Sequence, residues 1–339
     1  MKIVEKIKEG DIRATARLIT MVERRDPEAI RLIREIYPRC GRAHLIGITG
    51  PPGVGKSCMV SELVKGFRQR QRTVGVLAVD PSSPFSGGAF LGDRARMIEL
   101  SGDKEVFIRS LASRGSQGGL SVAVNDAADI LDVFGKDVIL IETVGVGQGE
   151  VDIARLAHTV VLAMMPGCGD TLQAMKAGIM EIADIMVVNK ADKPGADATV
   201  TDLLSAQHLQ CSDPDEEKWA PPIIKTSATT GEGIDDLVRV ICHHFEYIRE
   251  HNILRKKDIE RRTRQFLDIL TQTIRDEFMS GLKAEKKKKK WVEKIGNLEL
   301  DPYSASEQVI DLIKEAREQK KQKVRDGKPA EQEASDSAV

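Results

Sequence analysis

The sequence predicts an α/β fold in which a mostly parallel central sheet is flanked by helices. Six apolar, β-rich runs supply the strands, and helical patterns lie between most of them. Strands that alternate with helices favour a parallel sheet covered on both faces. The predicted strands are Ala43–Thr49, Thr73–Asp80, Asp137–Glu142, Thr159–Met165, Ile185–Asn189 and Ile223–Thr226.

Helical segments precede and follow this core. Apolar residues recur at helical spacing before residue 42, and Asp26-Pro27 supplies an N-cap followed by proline at the first helical position. We therefore expect an N-terminal helical segment over 1–42 and a nucleotide-binding domain over 43–245. A charged helical arm should follow over 246–320, and residues 321–339 have the composition of a disordered tail.

Composition narrows the class of protein. The 339 residues carry 51 Lys+Arg and 52 Asp+Glu, and a net charge near zero argues against a nucleic-acid-binding protein. The run Lys286–Lys290 indicates a solvated helix face or loop, with binding to an acidic partner or to nucleic acid as the alternative. Five scattered cysteines without a CxxC pair favour reduced thiols in the cytoplasm. The sequence has no leader-like start and no apolar run of about 18 residues, so we expect no membrane partner.

The first strand runs into a glycine-rich loop that opens a helix. This strand–loop–helix context predicts a P-loop, in which backbone N–H groups and the helix N-terminus face a phosphate group. Lys56 is expected to bridge the β- and γ-phosphates, and the Ser57 hydroxyl to ligate Mg²⁺. The predicted nucleotide-binding residues here are Gly50, Pro51, Pro52, Gly53, Val54, Gly55, Lys56, Ser57 and Cys58.

A second motif, Asn189-Lys190-Ala191-Asp192, follows another strand and predicts guanine as the base. The Asp192 carboxylate can accept two hydrogen bonds from guanine, whereas adenine would leave it unpaired. We expect Lys190 to lie over the base and Asn189 to tie this loop to the P-loop. Ser227 and Ala228 follow the last strand, and the Ala228 N–H is a candidate donor to guanine O6.

Acidic residues stand at the ends of two further strands, Asp80 and Glu142. Both are expected at the same edge of the sheet as Lys56, where each can hold Mg²⁺ directly, hold it through water, or orient the attacking water. Asp93 is a third metal candidate. For Asp80 and Asp93 a turn or N-cap role remains the alternative.

Two glycine-containing segments are candidate nucleotide sensors. The Gly145 N–H can meet a γ-phosphate oxygen, which would make its loop responsive to hydrolysis. Gly87 and Gly88 lie in a glycine-rich stretch between Asp80 and the next helix, and they are predicted switch residues.

These motifs resemble the MeaB/ArgK family of P-loop GTPases, which belongs to the SIMIBI class. The likeness runs from about Gly10 to about Ile313. It rests on VDPSSPFSGGAFLGDRARM from Val79, ETVGVGQGEVD from Glu142 and GDTLQAMKAGIMEIADIMVVNKAD from Gly169. The resemblance implies a GTPase chaperone of an adenosylcobalamin-dependent acyl-CoA mutase, chiefly methylmalonyl-CoA mutase. GTP hydrolysis would gate cofactor loading and protect or reactivate the mutase.

The resemblance also implies a homodimer formed through the C-terminal arm and an additional switch loop over Pro166–Gly178. Asp170 and Lys176 fall on charged positions of that loop. Thr171 stands where the family usually has an acid.

Two other functions fit parts of the pattern. A nickel-type metal-insertion GTPase shares the class of fold but needs soft or imidazole ligands, and the only adjacent histidines, His243 and His244, cannot share one helix face. A transport-associated ATPase or kinase needs a pocket that tolerates adenine, against which Asp192 argues.

Overall fold

The computed structural model describes residues 3–80, 100, 102–112, 122–143, 149–167, 180–210, 219–281, 293–308 and 310–311. Within these ranges, seven strands form one sheet in the order β3-β2-β4-β1-β5-β6-β7, and each pair of neighbours is parallel. The strands are β1 His44–Thr49, β2 Val74–Asp80, β3 Val106–Ala112, β4 Val138–Glu142, β5 Thr159–Met164, β6 Ile185–Val188 and β7 Ile223–Lys225.

Helices cover both faces of the sheet. The helices of the described residues are α1 Ile3–Lys8, α2 Ile12–Arg24, α3 Pro27–Ile36, α4 Lys56–Gln69, α5 Val122–Val133, α6 Gly149–Leu156, α7 Ala196–Gln210, α8 Ile234–Glu250 and α9 Ile253–Gly281. Short 3₁₀ turns occupy Tyr37–Arg39 and Met180–Ile182, and residues 293–296 and 302–308 are also helical.

The core has a layer on each side of the sheet because alternate strand residues point to opposite faces. Leu45 and Ile139 face the layer formed with α1–α3, α5 and α6. Their neighbours Ile46 and Leu140 face the layer formed with α4 and α8. Burial on both faces explains why the strands read as continuous apolar runs rather than as alternating ones.

The fold class predicted from the sequence is confirmed, and the six predicted strands are all present with ends shifted by at most one residue. The sequence pattern did not indicate β3, because Arg109 and Ser110 interrupt the apolar run. Arg109 is accommodated because β3 is an edge strand, and its guanidinium bonds Glu23 and Thr20 of α2. The Arg109 guanidinium is thus hydrogen-bonded by residues distant in the sequence, and the local sequence pattern does not reveal those partners.

Helices α2 and α3 each begin after an aspartate N-cap, of which the sequence predicted Asp26. The Asp11 carboxylate accepts from the Arg13 and Ala14 N–H groups, and Asp26 accepts from the Glu28 N–H. The chain divides into two compact units, Met1–Asp268 and Ile269–Val339. The finer domain boundaries given above stay predictions. No helix in the described ranges is long and apolar enough to cross a membrane.

Candidate nucleotide site

The site lies at the edge where the parallel strands end. β1 is flanked by β4 and β5, and Ile48 of β1 is in register with Glu142 of β4. Glu142 is also in register with Ala78 of β2, so Asp80, two residues further on, ends at the same edge. The backbone of Asp80 is placed as predicted, whereas its side chain lies outside the described residues. An edge where adjacent parallel strands end is a common ligand site in α/β folds.

The P-loop follows β1 directly, and two of its glycines are required by close contacts. Gly50 has φ +139°, and a Cβ there would lie 2.1 Å from the Ala163 carbonyl oxygen. Gly55 has φ +96°, and a Cβ there would lie 2.7 Å from Asn189 Nδ2. Gly53 has φ +76° and open space on the side where a Cβ would project. The backbone therefore curls tightly at both ends of the loop and stays accessible in the middle, as a phosphate cradle requires.

Lys56 and Ser57 begin α4, the helix that opens from the loop. Lys56 is buried, and its ammonium donates to the carbonyl oxygens of Gly50 (2.8 Å) and Pro51 (3.1 Å). The positive end of the helix dipole and the lysine charge thus act on the same small volume. Cys58, the third helical residue, is half-buried behind them. This arrangement can bind an anion such as a polyphosphate.

Oxygen ligands suited to Mg²⁺ meet beside the loop. The Ser57 hydroxyl donates to Glu142 Oε1 at 2.7 Å, and both side chains are buried. A hydroxyl and a carboxylate are hard oxygen donors of the kind that Mg²⁺ prefers, so the residues present fit the ion. The sequence predicts that these two residues lie at the same edge of the sheet, and in the structure they are hydrogen-bonded to each other.

Asn189 joins the two predicted ligand loops. Its Nδ2 donates to the Val54 carbonyl of the P-loop at 2.8 Å. Its Oδ1 accepts from the Thr226 hydroxyl and from the Ala228 N–H, both at 3.2 Å. The side chain is 1% exposed, so water does not compete for these bonds. One amide therefore holds the P-loop and the segment after β7 at a fixed separation, which confirms the expected tie to the P-loop.

The other residues of this motif are arranged around the bridge. Lys190 has a left-handed backbone (φ 58°), and its ammonium donates to the Gly53 carbonyl. Asp192 is exposed at the rim, where its carboxylate can meet a ligand. Ser227 is fully buried and its N–H donates to the Glu232 carbonyl. The Ala228 N–H already serves Asn189, so donation to guanine O6 stays a prediction that requires a shared N–H.

Six predicted residues lie outside the described ranges. They are the metal candidate Asp93, the sensor Gly145 and the switch residues Gly87, Gly88, Asp170 and Lys176.

Three threonines at this edge were not identified from the sequence as site residues. Thr226 bonds Asn189, and Thr143 bonds Thr49 at the base of the P-loop. Each stands at or just after a strand end, and that position was the available signal. Threonine is so common in strands that position alone does not distinguish a buried bridging hydroxyl from an ordinary strand residue.

Comparison with known proteins points to one family. A family model described as "Methylmalonyl Co-A mutase-associated GTPase MeaB" matches residues 15–287. The chain is 49% identical over 318 residues to a protein of Pyrococcus horikoshii named as a putative GTPase. The match covers 92% of this chain and 98% of that protein.

Two further matches extend the comparison. The chain is 33% identical over 298 residues to a Caenorhabditis elegans protein named methylmalonic aciduria type A homolog, mitochondrial; the match covers 82% of this chain and 73% of that one. Among solved structures, the crystal structure of an LAO/AO transport system kinase superposes with a TM-score of 0.63 at 25% identity. It covers 92% of this chain and 96% of its own.

Proposed function

The chain belongs to the MeaB family of methylmalonyl-CoA mutase-associated GTPases, and we propose that it couples GTP hydrolysis to cofactor handling by a cobalamin-dependent mutase. In this proposal, nucleotide state gates the loading of adenosylcobalamin into methylmalonyl-CoA mutase, and it protects or reactivates that enzyme. The adenosylcobalamin is held by the partner rather than by this chain.

The observation that carries the nucleotide part is the Asn189 bridge. A guanine-reading loop and a phosphate-reading loop must be held at the separation that one nucleotide spans. Asn189 links Val54 to Thr226 and Ala228 by buried hydrogen bonds of 2.8 to 3.2 Å. Asp192 on the adjoining rim then selects guanine, because adenine cannot satisfy its two acceptor oxygens.

The hydrolytic roles follow from the groups around the P-loop. Lys56 would hold the β- and γ-phosphates at the N-terminus of α4, and Ser57 with Glu142 would hold Mg²⁺. When bound, Mg²⁺ supplies positive charge that stabilises the charge developing on the phosphoryl oxygens. Asp80 ends at the same edge and is proposed as a further ligand or water-orienting group.

The mutase part is supported by the names of the relatives. The matching family is described by its association with methylmalonyl-CoA mutase, and the Caenorhabditis elegans relative is named for methylmalonic aciduria. We further propose a cytoplasmic homodimer. Large apolar side chains on α9, Ile259, Phe266 and Leu267, are 46–60% exposed, which suits a helix that packs against another chain.

The test is capture of the partner in two nucleotide states. Tagged protein is incubated in native lysate with GDP or with a non-hydrolysable GTP analogue, and the retained proteins are identified by mass spectrometry. Recovery of a cobalamin-dependent mutase that differs between the two states supports the proposal. Lys56→Ala is the matched control, because loss of tight nucleotide binding should abolish the difference between states.

A second measurement addresses catalysis directly. Purified mutase should raise the rate of GTP hydrolysis by this chain, because a partner can complete a GTPase site. An unchanged rate with the captured mutase would contradict the coupling, although it would leave GTP binding intact.

A further inference from the structure

Two buried threonines form a hydrogen bond between the residue that precedes the P-loop and the residue that follows β4. Thr49 is the last residue of β1 and directly precedes Gly50, and Thr143 directly follows Glu142. The Thr143 hydroxyl donates to Thr49 Oγ1 at 3.3 Å, and the Thr143 N–H donates to the Ile48 carbonyl at 3.2 Å. Thr49 is 0% and Thr143 4% exposed. The connection is therefore shielded from water.

This connection lies just beyond the last residues at which β1 and β4 pair in the sheet. The last pair in the register of β1 and β4 is Ile48 with Glu142. Beyond it, β1 continues into the P-loop, whereas β4 ends at Glu142. The two bonds made by Thr143 extend the attachment by one residue, and that residue is bonded covalently to Glu142. Thr143 thus restricts the direction in which the Glu142 carboxylate approaches Ser57, 2.7 Å away.

We propose that Thr143, acting through Thr49, is a positioning residue for GTP hydrolysis. Neither hydroxyl is assigned a contact with nucleotide or metal. Their role is to hold Glu142 in register with the P-loop. This inference rests on the role proposed above for Glu142. A displacement of about 1 Å in such a group can cost up to a hundredfold in rate, so a buried tie at this point has a direct route to catalysis.

The test uses variants that separate the hydroxyl from the shape of the side chain. Thr143→Val removes the hydroxyl and keeps the branched shape, whereas Thr143→Ser keeps the hydroxyl. Steady-state GTP hydrolysis at saturating Mg²⁺ gives kcat and KM, calorimetry gives GDP affinity, and a thermal scan gives Tm. Thr143→Val should lower kcat about five- to tenfold, the effect of losing one hydrogen bond. KM and GDP affinity should stay within about twofold, and Thr143→Ser should retain most of kcat.

A double variant distinguishes positioning from stability. Thr49→Val combined with Thr143→Val leaves neither buried hydroxyl without a partner, so it should recover the Tm lost in Thr143→Val. Its kcat should nevertheless stay low, because the bond that sets the register is still missing. Recovery of kcat together with Tm would overturn the inference, as would a normal kcat in Thr143→Val or a kcat in Thr143→Ser as low as in Thr143→Val.

Glu142→Gln separates this inference from the proposed function. If Glu142→Gln slows hydrolysis and Thr143→Val does not, the role of Glu142 stands and the positioning role falls. If Glu142→Gln hydrolyses GTP at the normal rate, the proposed role of Glu142 fails, and the positioning argument built on it fails with it.

Discussion

Replacing Asp129 by asparagine tests how α9 is attached to the nucleotide-binding core. Asp129 lies on α5 and is 2% exposed. Its carboxylate receives Arg261 at 3.3 Å and Arg262 at 3.2 Å, both from the first half of α9. Arg262 also stacks over the Tyr37 ring, 4.5 Å from its centroid. One carboxylate therefore balances two guanidinium groups, one of them fully buried.

The expected magnitude follows from what remains after the charge is removed. Breaking a buried ion pair by neutralising one partner costs about 3–5 kcal/mol, because the other charge stays buried without compensation. Arg261 keeps a weak partner, Asp258, at 3.9 Å, and the Arg262 side chain is 22% exposed and partly hydrated. We therefore expect the lower end, about 3 kcal/mol. For a domain of this size the Tm should fall by roughly 6–12 °C.

Thermal and urea unfolding followed by circular dichroism measure this loss. Asp197→Asn is the matched control, since Asp197 pairs with Lys225 at the surface with its side chain 91% exposed. The control should leave the Tm within the scatter of repeated scans. The double variant Asp129→Leu with Arg261→Met should be more stable than Asp129→Asn, because it removes buried charge from both sides. Equal Tm values for Asp129→Asn and the control would refute the reasoning.

Three further predictions concern the base, pH and assembly. Asp192→Asn should weaken GDP binding by roughly tenfold to a hundredfold and strengthen the binding of xanthosine diphosphate, both measured by calorimetry. An unchanged preference for GDP would contradict the assignment of Asp192 to the guanine base. Burial lowers the pKa of His44 and His158 in the folded chain. As the pH falls, the imidazole rings are therefore protonated in the unfolded chain before they are protonated in the folded chain. The free energy of unfolding should consequently fall as the pH drops below about 6.5. His44→Gln should reduce this slope between pH 7.5 and 5.5 in thermal scans, and an unaltered slope would count against it. Phe266→Glu should convert a dimer to monomer in sedimentation experiments, while Ile30→Glu, similarly exposed on α3, should not.

Six of the seven described strands and the P-loop could be predicted from local sequence. The interior residues of a strand buried on both faces are apolar, so β1, β4 and β5 appear as runs that are apolar except at their ends. Gly50 and Gly55 stand where the backbone passes within contact distance of Ala163 and Asn189, and only glycine fits there. Where burial or backbone geometry restricts the residue type, the restriction is visible in the chain itself.

Partnership between distant side chains could not be predicted in this way. Arg109 interrupts the apolar pattern of an edge strand, and its partner Glu23 lies far away in the sequence. The Thr49–Thr143 contact likewise joins residues 94 positions apart. Hydroxyl and charged groups are compatible with many local environments, and their energies depend on which group lies within about 3 Å and whether water is excluded. The types of group at the nucleotide edge were thus determined by the sequence, whereas the hydrogen bonds that fix their positions were decided only when the chain folded.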